Sequence, residues 1–199
     1  MPAVHVDPAK VHAFATADAF EAWLRANHAG EREVWIRVFK KASGLPSITP
    51  KEAIDVALCW GWIDAVRKSL DATSYLQRYT PRTRTSIWSQ VNVANVERLA
   101  AQGRMAAPGL LQVDLAKADG RWDRAYASGQ AMMLPDDLLA AVNADPLAEA
   151  NLARLNAQNR FAMAFRLHHL KTEAGRSKRI AAFVEMLKRG ETLYPQALE

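Results

Sequence analysis

Apolar residues recur along this chain with two different periods, and the places where one gives way to the other outline its elements. In "TADAFEAWLRANH", Phe20, Trp23 and Leu24 fall at helical spacing behind Thr16, whose hydroxyl suits a helix start, and Ala29 with Gly30 supplies a stop. "EVWIRVFKK" alternates Val34, Ile36 and Val38 with Trp35, Arg37 and Phe39, as a strand does when one face is buried and the other is partly aromatic. "ASGLPSITP" reads as loop. In "TPKEAIDVALCW", Thr49 precedes Pro50 and Glu52 stands three residues on. This is the signature of a reciprocal helix cap, followed by an inward stripe of Ile54, Ala57 and Leu58 and an end near Gly61.

From Trp62 the period moves toward two. "WIDAVRKSL" and "SYLQRYT" are strands joined across "DAT", with Pro81 closing the second, so a hairpin is expected. "SQVNVANVERLAAQG" returns to helix through Val93, Val96, Leu99 and Ala100, capped by Ser89 and stopped by Gly103; a shorter helix follows Pro108. The stretch from Gly120 to Pro135 has no sustained period. Beyond it the chain is alanine-rich and helical, and Ile180, Phe183, Val184 and Leu187 form an i, i+3, i+4, i+7 stripe. The fold class that follows is α+β: a small mixed α/β body with a strand hairpin, then a C-terminal helical unit. The body takes residues 1–120, a connector 121–134 and the helical unit 135–199, as two units or as one compact domain.

Several of these segments also resemble a known family. "CWGWIDAVRKSLDATSYLQRYTPRTRTSIWSQVNVANVERLAAQGRMAAPGL" contains a Gly-Trp-Ile-Asp turn, a Tyr before Thr-Pro-Arg, then Ser-x-Trp-Ser and Asn; "KTEAGRSKRIAAFVEMLKRGETLYP" is a closing basic helix. Together they are similar to the YdeI/OmpD-associated, or bacteriocin-protection, proteins, from about Lys51 onward. Trp60 stands where many relatives have phenylalanine. The resemblance implies a cytoplasmic protein with a role in stress or bacteriocin protection, and it carries over no catalytic residues.

Composition narrows the class. With 199 residues, half of them apolar, the chain can bury a sizeable core. The single cysteine, Cys59, rules out an intramolecular disulfide and reads as a buried hydrophobe. The N-terminus lacks the pattern of a secretion signal and no run is long enough to span a bilayer, so no membrane insertion and a cytoplasmic location are expected. Of the net charge of +5, residues 1–150 contribute none, with 17 basic and 17 acidic side chains. Residues 151–199 carry 9 and 4.

The chemistry concentrates between Gly61 and Gln90, where five basic residues meet two carboxylates, two tryptophans and two tyrosines. Arg78, Arg82 and Arg84 are forks suited to a carboxylate or phosphate, and the helix start at Ser89 would aim free amides the same way. Trp62, Tyr79 and Trp88 could wall an aromatic ligand, and Asp64 could orient an arginine or accept a proton. The same residues also read as packing: tryptophans in the core, Asp64 paired with Arg67 or Arg84, Ser89 only a cap. Adjacent His168 and His169 point to different sides of a helix, so no metal is expected, and no motif implies a cofactor. Lys171, Arg176, Lys178, Arg179, Lys188 and Arg189 form a basic stretch that reads as a solvated face, with nucleic acid as the alternative partner. The leading expectation is a non-enzymatic protein with an aromatic, basic pocket for a small anion. The alternatives are an enzyme using Asp64 as general base, or a nucleic-acid-binding protein.

Overall fold

Thr16 accepts the Ala19 amide and opens helix α1, Ala17–Asn27, which buries Phe20 and Leu24. Thr49 and Glu52 form the reciprocal cap of α2, Pro50–Cys59. Four strands make one sheet in the order β1-β2-β4-β3: β1 is Val11–His12, β2 Val34–Phe39, β3 Trp62–Ser69 and β4 Ser74–Pro81. These elements belong to a computed structural model that describes residues 5–127, 132–170 and 172–196. The α+β class holds: a mixed α/β body with a strand hairpin precedes a helical C-terminal part. The chain divides into two compact units, Met1–Ala125 and Tyr126–Glu199.

In the first unit β3 and β4 are the expected hairpin, antiparallel, and β4 pairs antiparallel with β2. The two-residue β1, which runs parallel to β2 at the far edge, is too short to leave a periodic signal. Asp71 fixes the hairpin turn by accepting from the amides of Thr73 and Ser74, from both their hydroxyls, and from Arg37. Between Asp64 and Arg67 β3 carries one residue more than its partner, a bulge. Gln77 on β4 explains how the bulge is held: its amide donates to the carbonyls of Ala65 and Val66, and its own carbonyl accepts from Arg67.

One face of the sheet puts Val34, Ile36, Val38, Tyr79 and Trp62 against α1 and α2 as the first core cluster. Burying each such side chain contributes about 2 kcal/mol. α2 is buried more widely than the expected stripe, since Ala53, Val56 and Ala57 face the sheet cluster while Leu58 and Cys59 enter a second one. That second cluster brings in α3, Gln90–Ala101, and α4, Ala107–Ala118, with Trp88 and Val113. Trp60 touches both clusters. Gly109 is required at the crossing of α2 and α4, because a Cβ there would lie 2.1 Å from the Cys59 carbonyl oxygen. Asp55, buried on α2, accepts two 2.7 Å bonds from Arg98 Nη2 on α3.

The second unit holds α5, Asp136–Asn143, α6, Pro146–Ala153, α7, Ala157–His168, and α8, Glu173–Lys188. The carboxylates of Asp136 and Asp137 stand in the first turn of α5, where they complement the helix dipole. Asp145, Asn156 and Thr172 cap the three helices that follow. Their shared core includes Leu138, Val142, Leu152, Met163, Leu167, Phe183 and Leu187, so the stripe read on α8 does face inward at Phe183 and Leu187. Fully buried Asn159 ties the C-terminal segment to α7, donating to the Tyr194 carbonyl and accepting from the Tyr194 amide.

Candidate functional site

β4 ends at Pro81, and the next amide, of Arg82, donates back to the Gly61 carbonyl at 2.9 Å, which fixes the corner where the chain leaves the sheet. The Arg82 guanidinium lies over the Trp88 ring, 3.5 Å from its centroid, while Nη1 donates to the Ile87 carbonyl. Trp88 is buried and tilts against half-buried Trp122 at 4.9 Å, and Lys117 sits over the outer indole at 5.3 Å. Two touching indoles thus each carry a cation, an arrangement stabilised by the negative ring face. Trp88 Nε1 is buried with no acceptor among the described residues, so packing and the cation hold the ring.

The loop between Arg82 and Trp88 is ordered from both sides. The Thr83 amide donates to Ser86 Oγ, and Arg121 Nη1 donates to the Ser86 carbonyl at 2.8 Å while its Nε takes Asp119. Arg84 stands exposed on this loop. Ser89 is buried and accepts the Asn92 amide, making it the cap of α3.

The structure therefore brings Arg82, Trp88 and Ser89 together, with Arg84 on the loop between them. The other expected residues lie elsewhere. Trp62 is core, edge-on to Trp23 at 5.9 Å. Tyr79 is core as well, its hydroxyl pushed up by burial and then by Asp64. Arg78 leaves β4 on the opposite face from Tyr79, donating to Glu33 at 2.6 Å beside the Trp35 ring. Asp64 lies on the exposed part of β3 and makes no ion pair with Arg67 or Arg84 among the described residues. Desolvation raises its carboxyl, and a hydrogen bond from its own backbone together with the charges of Arg82 and Arg67 opposes this.

Sequence reasoning missed Arg121 and Trp122 because "GRWDRAYASG" reads as connector, and missed Lys117 because it stands on the helix after Pro108 with nothing in the sequence to link it to that ring. The sequence-level clue was a tryptophan between two arginine-bearing turns, a poor choice for a solvated linker. Cys59 is buried and its thiol is pushed up to about 11 by desolvation, which suppresses the thiolate a nucleophile needs. No group of three metal-binding side chains occurs among the described residues. Nor is any described helix long and apolar enough to cross a membrane. On the C-terminal basic stretch, Arg176 is paired with Asp137, Lys188 with Asp145 and Glu185, and Arg189 with Glu191. Lys178 and Arg179 remain exposed, and Lys171 lies outside the described residues.

Comparison with known proteins divides the chain in a similar place. Residues 131–190 match the family described as Bacteriocin-protection, YdeI or OmpD-Associated. The family likeness read from the hairpin segment and the closing basic helix is thus carried by the C-terminal helices, while the hairpin segment falls in a different match. No curated protein and no solved structure matches. Residues 12–112, just over half of the chain and including the whole sheet, match the domain of unknown function DUF8412, and the chain belongs to that family.

Proposed function

We propose that this is a non-enzymatic binding protein that receives a small anion bearing a flat apolar group at the corner formed by Arg82, Arg84, Trp88, Ser89 and Trp122. The observation that carries the reading is the pair of touching indoles flanked by cations beside the α3 N-terminus. Half-buried Trp122 offers a ring face for stacking, and exposed Arg84 and Lys117 offer charge to a phosphate or carboxylate. A cytoplasmic location and a part in protection against bacteriocins, as the C-terminal family's name has it, belong to the same proposal.

The test is a thermal-shift screen against nucleotides, sugar phosphates and aromatic acids, repeated with Arg84→Ala and Trp122→Ala. A ligand that raises the melting temperature of the parent and loses its effect in both variants supports the corner as its site. If no compound shifts the parent, the reading fails and the cluster is packing.

One observation favours a second reading. Asp64 is exposed, makes no ion pair among the described residues, and has its carboxyl raised from its ordinary value by desolvation, the direction a general base needs. That reading requires a turnover on an anionic substrate that Asp64→Asn abolishes while binding persists.

A further inference from the structure

A cavity of about 560 Å³ opens in the second unit; it shares no residue with the tryptophan corner and is independent of the reading given for it. Its volume is that of a small-molecule site. Met132 and Met133 form one wall and Phe161 of α7 the other, while Leu134 and Leu139 form a floor continuous with the core of that unit. The Phe161 ring is set by stacking on Phe165, with centroids 5.6 Å apart. Met133 is 80% exposed, an unusual position for a thioether that an apolar occupant would cover. Methionine walls also adapt to a flexible chain better than branched side chains do.

The polar end is equally defined. Among the described residues Arg160 is the only charged one lining the cavity, and Gln158 accompanies it. The guanidinium is immobilised by the protein itself: Nε donates to the Leu155 carbonyl at 3.1 Å, and Nη2 donates to the carbonyls of Leu152 at 2.8 Å and Ala153 at 3.3 Å. Nη1 donates to no group among the described residues. A fixed cation with a spare donor at the rim of an apolar cavity is complementary to a carboxylate on an apolar tail. The first turn of α7 lines the same end and favours the same sign of charge.

We infer that this cavity binds an amphipathic monocarboxylate of the acyl-chain type, its tail against Met132, Met133 and Phe161 and its carboxylate on Arg160 Nη1 and the Gln158 amide. The experiment is isothermal titration of the full chain with decanoate, decanol and decyltrimethylammonium below their self-association concentrations. Decanoate should bind saturably at one equivalent, decanol about tenfold more weakly and the ammonium not at all. Arg160 also caps α6, so its removal would confound folding with binding. The variants are therefore Gln158→Glu, which sets a like charge beside the carboxylate at an exposed position, and Ala157→Phe, which fills the cavity from the exposed helix start. Both should keep the parent's melting temperature, the first weakening decanoate about tenfold and the second abolishing binding. The proposal is overturned if decanoate fails to bind, if decanol binds equally well, or if Ala157→Phe binds decanoate like the parent.

Discussion

Arginine does different work in the sheet of the first unit and in the helices of the second. In and beside the sheet its guanidinium lies on rings: Arg37 over Phe39 at 4.8 Å, Arg67 over Tyr75 at 4.5 Å, Arg78 by Trp35 at 6.0 Å and Arg82 over Trp88 at 3.5 Å. Among the helices, Arg160 and Arg176 turn to backbone carbonyls, at the end of α6 and of α7. The cause is local geometry. A strand sets side chains of neighbouring strands about 5 Å apart, so Arg78 meets Trp35, and Arg67 meets Tyr75 on the diagonal, across the ladder; Arg37 reaches Phe39 two residues on along the same face of β2, and Arg82 meets Trp88 just beyond the end of β4. A short helix leaves four carbonyls unpaired at its end, and the nearest fork of donors takes them. Arg98 sharpens the rule, because it belongs to the first unit yet sits on a helix, and it takes a carboxylate rather than a ring.

The largest expected loss comes from a helix-serving arginine. Arg160→Met removes three carbonyl contacts and should cost about 3 kcal/mol, read as a lower denaturation midpoint in urea. Asp55→Asn leaves Arg98 without its anion against a buried site and should cost about 2 kcal/mol in the same measurement; an unchanged midpoint would mean that solvent already screens the pair. Arg82→Lys keeps the charge over Trp88 but not the flat stacking, and the expected cost is about 1 kcal/mol, with a shift in tryptophan emission as the local readout.

The smallest effect is a pH dependence at the hairpin turn. The hydroxyls and amides of Thr73 and Ser74 hold the Asp71 carboxyl well below the ordinary carboxylate range. A group depressed in the folded state contributes stability above its unfolded pKa and loses it as pH falls through the folded one. Stability should therefore decline on acidification from the ordinary aspartate range downward, and Asp71→Asn should flatten that part of the profile. An equal acid slope in the variant would assign the decline to other carboxylates.

Much of this frame could be read in the residues. Thr16, Thr49 with Glu52, and Ser89 cap where their types and spacing say, because caps depend on contacts within one turn. The hairpin was equally legible, since period two and a polar turn are local. Side-chain direction across the sheet was not. Arg78 and Tyr79 are adjacent in sequence and face opposite ways, and the bulge at Asp64 to Arg67 shifts the parity of everything after it. The link from Arg121 and Trp122 to the loop before α3 spans more than thirty residues without a periodic signal. The cavity of the second unit escaped notice for a related reason: a methionine pair before a proline looks like linker until two helices close around it.

The bulge in β3 has a further consequence for how copies of this protein meet. β3 is an edge strand, and from Asp64 onward it is exposed, with Val66 among its side chains and exposed Leu70 just past its end. A flat edge of that composition is a template on which a second chain could extend the sheet. The extra residue breaks the regular spacing of outward amides and carbonyls, Gln77 binds two of the carbonyls back into the molecule, and Arg67 and Lys68 add like charges that would meet their counterparts. Gln77 thus stands where it would guard this edge against pairing with a second chain. Its replacement by valine, a good strand former that cannot reach those carbonyls, should show up less in the melting curve than in turbidity after prolonged concentration.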